Sequence, residues 1–319
     1  MYHGFAGFDS KFSAVKLVSR CDVLRTRLIS QWRTDIALPA DCYVICIFYL
    51  LLYLAQGIIV PYFPGWLNAK GLSVQEVGYL LSVTYSLKVV GNPLVSHVAD
   101  VTGRLKLVLA ALALISTATY SLYLLFEGRA LVFFVAVMLS LFMPAMYPMM
   151  DRLAVEAGTQ RGFRFGRLRL WGSLGFAMGT CLAGRFLIPN FGIGVVVDAV
   201  LSILLCTSVI ALNLPDFRST RCKMSRVPVF KLLKRPDYFY VMLAAAFVQS
   251  SNGFLYSFSS LFWEKHGVST GAISIFWGVG ISCEMLMFFF GAPFLARHRV
   301  LSMQGVAVLG SAVRWGGLR

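Results

Sequence analysis

Two charged side chains fall in the middle of long apolar segments, where a charge could bind a solute or help to move a proton. Lys88 lies twelve residues before Asp100. Glu284 lies thirteen residues before Arg297. With a rise of about 1.5 Å per residue, both side chains are predicted at roughly 18–20 Å from the same membrane face. A charge at this depth costs several kcal/mol, so both residues are candidates for function.

Arg314 is the predicted partner of Glu284. It lies fourteen residues after Val300, where another apolar segment begins, and this brings it to the depth of Glu284 on an antiparallel neighbour. Desolvation makes a buried carboxyl easier to protonate and a nearby arginine keeps it ionised, so solute binding could switch its proton affinity. Proton coupling requires such a switch. The alternative for Lys88 and Glu284 is a buried ion pair that only orients helices.

Two other apolar segments each carry one face of hydrogen-bonding side chains. The faces repeat at helical spacing and consist of Tyr49, Tyr53 and Gln56 in one segment, and Gln249, Asn252 and Tyr256 in the other. They are predicted to form two walls of one solute-binding cavity. The alternative is hydrogen bonding between helices, or an aromatic belt at the membrane interface.

Apolar segments long enough to cross a bilayer recur along most of the chain. Of the 319 residues, 58% are hydrophobic and 13% are charged, and the mean hydropathy is +0.74. This is more apolar surface than a water-soluble core can hide. We predict an all-α polytopic membrane protein with about nine spans. Eight are full spans, at residues 42–66, 75–99, 105–126, 130–150, 171–189, 192–213, 238–263 and 272–296, and a partial ninth begins near residue 300.

The net charge of +15 is explained by basic residues in alternate loops. The loops on one predicted side contain Arg104 and Lys106, then Arg152, Arg161, Arg164, Arg167 and Arg169. The opposite loops contain Lys70, Arg129, Arg185 and Lys265. The positive-inside rule then places the amino-terminal tail and the basic central segment in the cytosol, without a nucleic-acid partner. A cytosolic tail is favoured over an organelle-targeting segment. Both a plasma membrane and an organelle membrane fit the sequence.

Enzyme chemistry is not indicated. The seven cysteines include no CxxC pair, so neither a disulfide framework nor a metal site is predicted. The sequence also lacks a nucleophile–base pair and a phosphate-binding glycine loop in a plausible setting. We therefore expect no enzyme activity, no metal and no cofactor.

An internal repeat organises the chain. A shift of 196 positions places Gly57 over Gly253, Gly71 over Gly267 and Lys88 over Glu284. The predicted organisation is a cytosolic tail at residues 1–41, a six-helix half at 42–213, a basic cytosolic linker at 214–237, and a partial second half at 238–319. The offset carries the end of the second half to about residue 409, so the chain is expected to end before the fold does.

Several segments resemble the major facilitator superfamily. Ser96–Lys106, SHVADVTGRLK, is similar to the loop between its second and third helices, with the pattern G-x-x-x-D-x-x-G-R-x-K/R and Ser96 in place of the leading glycine. Further similar segments are PYFPGWL at 61–67, PMMD at 148–151, GRLRLWGSLG at 166–175 and VRWG at 313–316. They resemble the branch that includes phenylpropionate permease and the proton-coupled nucleoside and oligosaccharide permeases.

The resemblance implies a bundle of two six-helix repeats that performs proton-coupled symport of a small polar organic solute by alternating access. Its expected partners are the solute, protons and the lipid bilayer. Two alternatives are a non-transporting membrane receptor or scaffold with the same fold, and an inactive fragment.

A cytosolic gate is expected after the second span. The resemblance implies that Asp100 and Arg104 hold the cytosolic side closed, while Gly103 suits a tight turn and Lys106 adds a basic anchor. Asp151 is predicted to end the fourth span after two prolines that should bend it, Pro144 and Pro148. It is either part of the gate or an interfacial charge.

One helix–helix contact is also predicted. Gly175 and Gly179 form a GxxxG motif, which permits close approach of another helix.

Overall fold

The described part of the chain is entirely helical apart from its turns. A computed structural model describes residues 40–125, 128–161, 165–216 and 236–295. The helices within these ranges are α1 Ala40–Ala69, α2 Val74–Thr102, α3 Leu105–Leu125, α4 Arg129–Phe142, α5 Met146–Arg161, α6 Phe165–Leu182, α7 Ile188–Phe191, α8 Val195–Leu212, α9 Pro236–Lys265 and α10 Thr270–Leu295. These ranges contain no strand, which confirms the predicted all-α class.

Helices lie over all eight of the predicted full spans. By length and composition, four described segments could cross a membrane: Cys42–Ala69, Leu105–Leu125, Arg129–Gln160 and Val195–Leu212. Shorter apolar stretches occupy Phe239–Ser250 and Thr270–Cys283. Most of the tail, most of the linker and the predicted ninth span lie outside the described residues.

Two predicted boundaries were wrong. A 3₁₀ turn at Met143–Ala145 separates α4 from α5, so the α-helix is interrupted at Pro144, one of the two prolines expected to bend it. The helix then continues to Arg161, so Asp151 lies in the second turn of α5 and does not end the span. The fifth span also starts earlier, at Phe165. Apolar content locates the lipid-facing part of a helix, and a helix can extend beyond that part with polar residues.

Glycines bring α1 and α6 into backbone contact. A Cβ atom added at Gly175 would lie 2.2 Å from the carbonyl oxygen of Leu50, and one at Gly179 would lie 2.2 Å from that of Leu54. Gly57 faces back onto the α6 backbone in the same way. Close approach of this kind is the role of small residues in membrane bundles, and it confirms the predicted GxxxG contact.

The turns α1–α2 and α9–α10 have the same geometry. Gly71 and Gly267 both adopt the left-handed conformation, with φ of 88° and 78°. Ser73 caps α2 by accepting from the backbone N–H of Glu76, and Ser269 accepts from the N–H of Ala272. Each pair of positions differs by 196, so the two turns agree with the predicted repeat.

Contacts between α6 and α10 connect the two repeat-related parts. Phe176 of α6 packs with Ile273 and Trp277 of α10 in one buried cluster. A Cβ atom at Gly184, in the π-helical turn Ala183–Leu187, would lie 2.8 Å from the carbonyl oxygen of Thr270. Small and aromatic residues thus bring α9 and α10 beside the helices of the first half.

Candidate functional site

Arg169 lies at the centre of a polar cluster. Its position in the second turn of α6 points the side chain towards α1 and α5. Arg169 Nε lies 3.8 Å from Asp151 Oδ1, and the guanidinium carbon lies 4.3 Å from the centre of the Tyr53 ring. Its Nη1 is buried and has no hydrogen-bond partner among the described residues. Arg169 is therefore held by a carboxylate and an aromatic ring and keeps a donor unused.

The carboxylate of Asp151 is also held by Tyr49 of α1. Its hydroxyl donates to Asp151 Oδ1 at 2.7 Å, and the Tyr49 side chain is buried. Hydrogen bonds to a charged acceptor are shorter and stronger than neutral ones. Asp151 thus connects α1, α5 and α6.

Gln56 is oriented by a tyrosine of α5. Tyr147 donates its hydroxyl to Gln56 Oε1 at 2.6 Å. The Tyr147 ring also packs edge-on against Tyr53, with ring centres 5.1 Å apart. Because Oε1 accepts this bond, the amide N–H₂ of Gln56 is left as a donor.

These side chains line a polar cavity of about 360 Å³. Its walls come from α1, α2, α5 and α6 in the first half and from α9 and α10 in the second. The lining includes Tyr53, Gln56, Tyr85, Lys88, Tyr147, Arg169, Ser173, Phe176, Gln249 and Tyr256. A concave site with a few convergent polar groups is the usual form of a small-molecule site.

A more apolar cavity of about 250 Å³ adjoins the polar one. The two share part of their lining, including Gln56, Lys88 and Tyr256. Lys88 is half-buried, and its Nζ lies 3.9 Å from the centre of the Tyr85 ring. The wall between the cavities therefore contains an ammonium group.

Tyr256 is held by α10. Its ring stacks on Trp277 with centres 5.4 Å apart, and Trp277 Nε1 donates to Ser260 Oγ at 3.2 Å. The second half thus presents one stacked aromatic ring, that of Tyr256, to both cavities.

The structure brings together most of the side chains that were predicted to bind solute. Tyr53, Gln56, Gln249 and Tyr256 line the polar cavity together with Lys88. Tyr49 does not line this cavity and instead donates a hydrogen bond to Asp151. The side chains of Asn252 and Glu284 and the whole of Arg314 lie outside the described residues, so the Glu284–Arg314 pair stays a prediction.

The predicted gate residues do not form one cluster. Asp100 accepts a hydrogen bond from Arg152, which also contacts Glu156 Oε1 at 3.3 Å. Gly103 ends α2 with φ of 64°, as expected for a tight turn. Arg104 is exposed and Lys106 is half-buried, and neither pairs with a carboxylate within the described ranges. Asp151 belongs to the Arg169 cluster.

Arg169 and Tyr147 were missed as site residues. Arg169 was predicted to be a cytosolic loop charge, because the fifth span was predicted to start at residue 171. A usable signal was present: Arg169, Gly172, Ser173 and Phe176 follow the spacing i, i+3, i+4 and i+7, which places them on one helical face. Tyr147 gave no comparable local signal. Among the described residues, no cluster of His, Cys, Asp and Glu could hold a metal ion.

A helical bundle with a polar cavity between repeat-related halves is the architecture of secondary transporters. Residues 43–319 match the model of the MFS_1 like family, so the chain belongs to this major facilitator family. It is a multi-pass integral membrane protein. The matched relatives are transporters, in agreement with the prediction that the chain is not an enzyme.

Two curated relatives show the range of this similarity. The chain is 25% identical to the "Probable 3-phenylpropionic acid transporter" of Escherichia coli strain K12, over 84% of this chain and 71% of the relative. It is 30% identical to the "Maltose permease" of Geobacillus stearothermophilus, over 84% of this chain and 68% of the relative. The crystal structure of the nucleoside transporter NupG matches with a TM-score of 0.65 and 15% identity, over 81% of this chain and 68% of that one. NupG supports the fold alone.

Proposed function

We propose that the protein is a secondary active transporter that performs proton-coupled symport of a small polar organic solute by alternating access. One observation carries the proposal: the polar cavity has walls from both repeat-related halves. Tyr53 and Gln56 contribute from α1, and Gln249 and Tyr256 from α9. A solute that touches both walls can stabilise one arrangement of the halves over another, as alternating access requires.

The cavity offers directional hydrogen bonds to a solute. Gln56 presents donors because its oxygen is occupied by Tyr147. Arg169 has an unused guanidinium donor, and Ser173 lies one turn further along α6. The names of the relatives include an aryl carboxylic acid, a disaccharide and nucleosides, and these three classes are the first solutes to test.

Glu284 is the candidate for the proton site, because its position in α10 is predicted to lie near mid-membrane. Solute binding can also act on the contact between α5 and α6. Asp151 shares Arg169 with the cavity, so a solute that engages Arg169 competes with Asp151 for the guanidinium.

Uptake into proteoliposomes with an imposed pH gradient tests the proposal. Radiolabelled 3-phenylpropionate, maltose and uridine serve as the three probes. At least one probe should accumulate above its external concentration, and Arg169→Gln should abolish this accumulation. Arg185→Gln, which changes an exposed arginine outside the cavity, is the matched control and should behave like the wild type.

Glu284→Gln separates coupling from binding. An amide resembles the protonated acid but cannot release a proton, so the variant should lose uphill accumulation and keep solute exchange. Unchanged accumulation would give Glu284 a structural role. Saturable binding of a probe without any flux would instead favour a receptor.

A further inference from the structure

Lys88 is the only lysine of the described residues that lines both cavities. Its ammonium group contacts the face of the Tyr85 ring. Among the side chains that the structure describes, which do not include that of Glu284, no carboxylate lies within 4.0 Å of Lys88 Nζ. A half-buried cation with only an aromatic face beside it is incompletely compensated, so an anionic ligand would stabilise it.

Asp151, the carboxylate of the neighbouring Arg169 cluster, is not the anion that compensates Lys88. Asp151 is engaged by the hydroxyl of Tyr49 and lies beside Arg169, and it is not part of the lining of either cavity. The described lining therefore contains two cations, Lys88 and Arg169, and no acidic side chain. A lining of this charge favours an anionic solute over a neutral one.

The apolar cavity is suited to a body of ring size. Leu80, Tyr120 and Leu139 of its lining are almost completely buried, with exposed fractions of 1%, 2% and 8%. Ala136 and Ile59 belong to the same lining. For scale, an engineered apolar cavity of about 150 Å³ accepts benzene. A cavity of about 250 Å³ therefore has room for a substituted ring.

We infer that the transported solute is an amphipathic organic anion. Its carboxylate lies at Lys88, and its apolar, ring-sized body lies in the apolar cavity between α1, α2, α3 and α4, called the side cavity below. This inference rests on the proposed function, because it names the solute class of the same site. Lys88 selects the charge and the side cavity selects the shape.

Equilibrium binding to the purified protein tests the charge. The probes are radiolabelled phenylacetate and its neutral isostere phenylacetamide, which share the ring and differ in charge. Wild type should bind phenylacetate more tightly by at least about tenfold, the range expected for a hydrogen bond to a charged group. Lys88→Gln should remove this preference, and Lys70→Gln, an exposed lysine outside both cavities, should keep it.

A second pair of variants tests the shape. Ala136→Leu extends a side chain into the side cavity. It should lower the affinity for both probes by the same factor, because it removes space and leaves Lys88 unchanged. Ala130→Leu, on the exposed first turn of α4, is the matched control and should bind both probes like the wild type. The ratio of the two affinities is an internal measure that a general loss of folded protein does not change.

The outcomes distinguish this inference from the proposed function. Binding of phenylacetate with the expected variant pattern supports the assignment of an amphipathic anion to the two cavities. If no flux is then measured, the proposed transport fails and the assignment of the ligand stands. Transport of maltose or uridine without saturable binding of phenylacetate overturns the inference and leaves the transporter in place. Equal affinity of the wild type for both probes also overturns it.

Discussion

Gly175→Ala should destabilise the protein although alanine favours helices. The added Cβ atom would lie 2.2 Å from the carbonyl oxygen of Leu50 and 3.0 Å from its carbonyl carbon. Atoms in contact prefer a separation of about 3.5 Å, so the backbones of α1 and α6 must move apart. Overpacking of this kind costs about 1–3 kcal/mol.

Gly166→Ala is the matched control on the same helix. Its Cβ atom would meet nothing within 4 Å. Both substitutions gain helix propensity, by up to about 1 kcal/mol. The difference between the two variants therefore isolates the contact with α1, and we expect Gly175→Ala to be less stable than Gly166→Ala by about 1–3 kcal/mol.

The assay is reversible unfolding in mixed detergent micelles with increasing SDS, followed by the fluorescence of the tryptophans. Both variants and the wild type are measured at one protein concentration. If Gly175→Ala were as stable as Gly166→Ala, the close contact between α1 and α6 would be refuted. A double variant with Gly179→Ala should lose more stability than either single variant, because each residue faces a different carbonyl group of α1.

Three further predictions concern local contacts and topology. Tyr49→Phe should lower the free energy of unfolding by about 1.5–3 kcal/mol, because it removes a hydrogen bond to the charged Asp151. Ser73→Ala should cost about 1 kcal/mol through loss of the α2 capping box. In a cysteine-free background, an impermeant thiol reagent added outside cells should label Lys70→Cys and not Lys106→Cys, as the positive-inside rule predicts.

Each of these predictions has a control and a contradicting result. Tyr79→Phe changes an exposed tyrosine and should leave stability unchanged; equal effects at Tyr49 and Tyr79 would disprove the role of the Asp151 bond. Ser269→Ala, at the repeat-related cap, should cost less than Ser73→Ala because only one hydrogen bond is seen there. Labelling of Lys106→Cys from outside would reverse the orientation.

The helical elements and the repeat could be predicted from the sequence because their signals are local. Long apolar segments identify helices, and the match of Gly71 with Gly267 reflects two turns that both need a positive φ. The ends of helices were less predictable. Polar residues continue α5 and α6 beyond the apolar stretch, which is why Asp151 was placed at a helix end and Arg169 in a loop.

The candidate site was predicted in part. Lys88 was found because a charge in an apolar segment is visible without any tertiary information. The pairing of Tyr147 with Gln56 could not be read in this way, since the two residues are 91 positions apart and meet only in the folded bundle. The same is true of Arg169 and Tyr53, whose contact depends on the close approach of α1 and α6.

Solute-dependent proton uptake is the most direct test of proton-coupled transport by this protein. The protein is reconstituted into liposomes that contain a pH-sensitive dye, and solute entry and internal pH are followed together after addition of phenylacetate, maltose or uridine. We predict that one solute enters and acidifies the interior in the same time course, and that Arg169→Gln abolishes both signals. Entry of a solute without acidification, or with Arg169→Gln fully active, would contradict it.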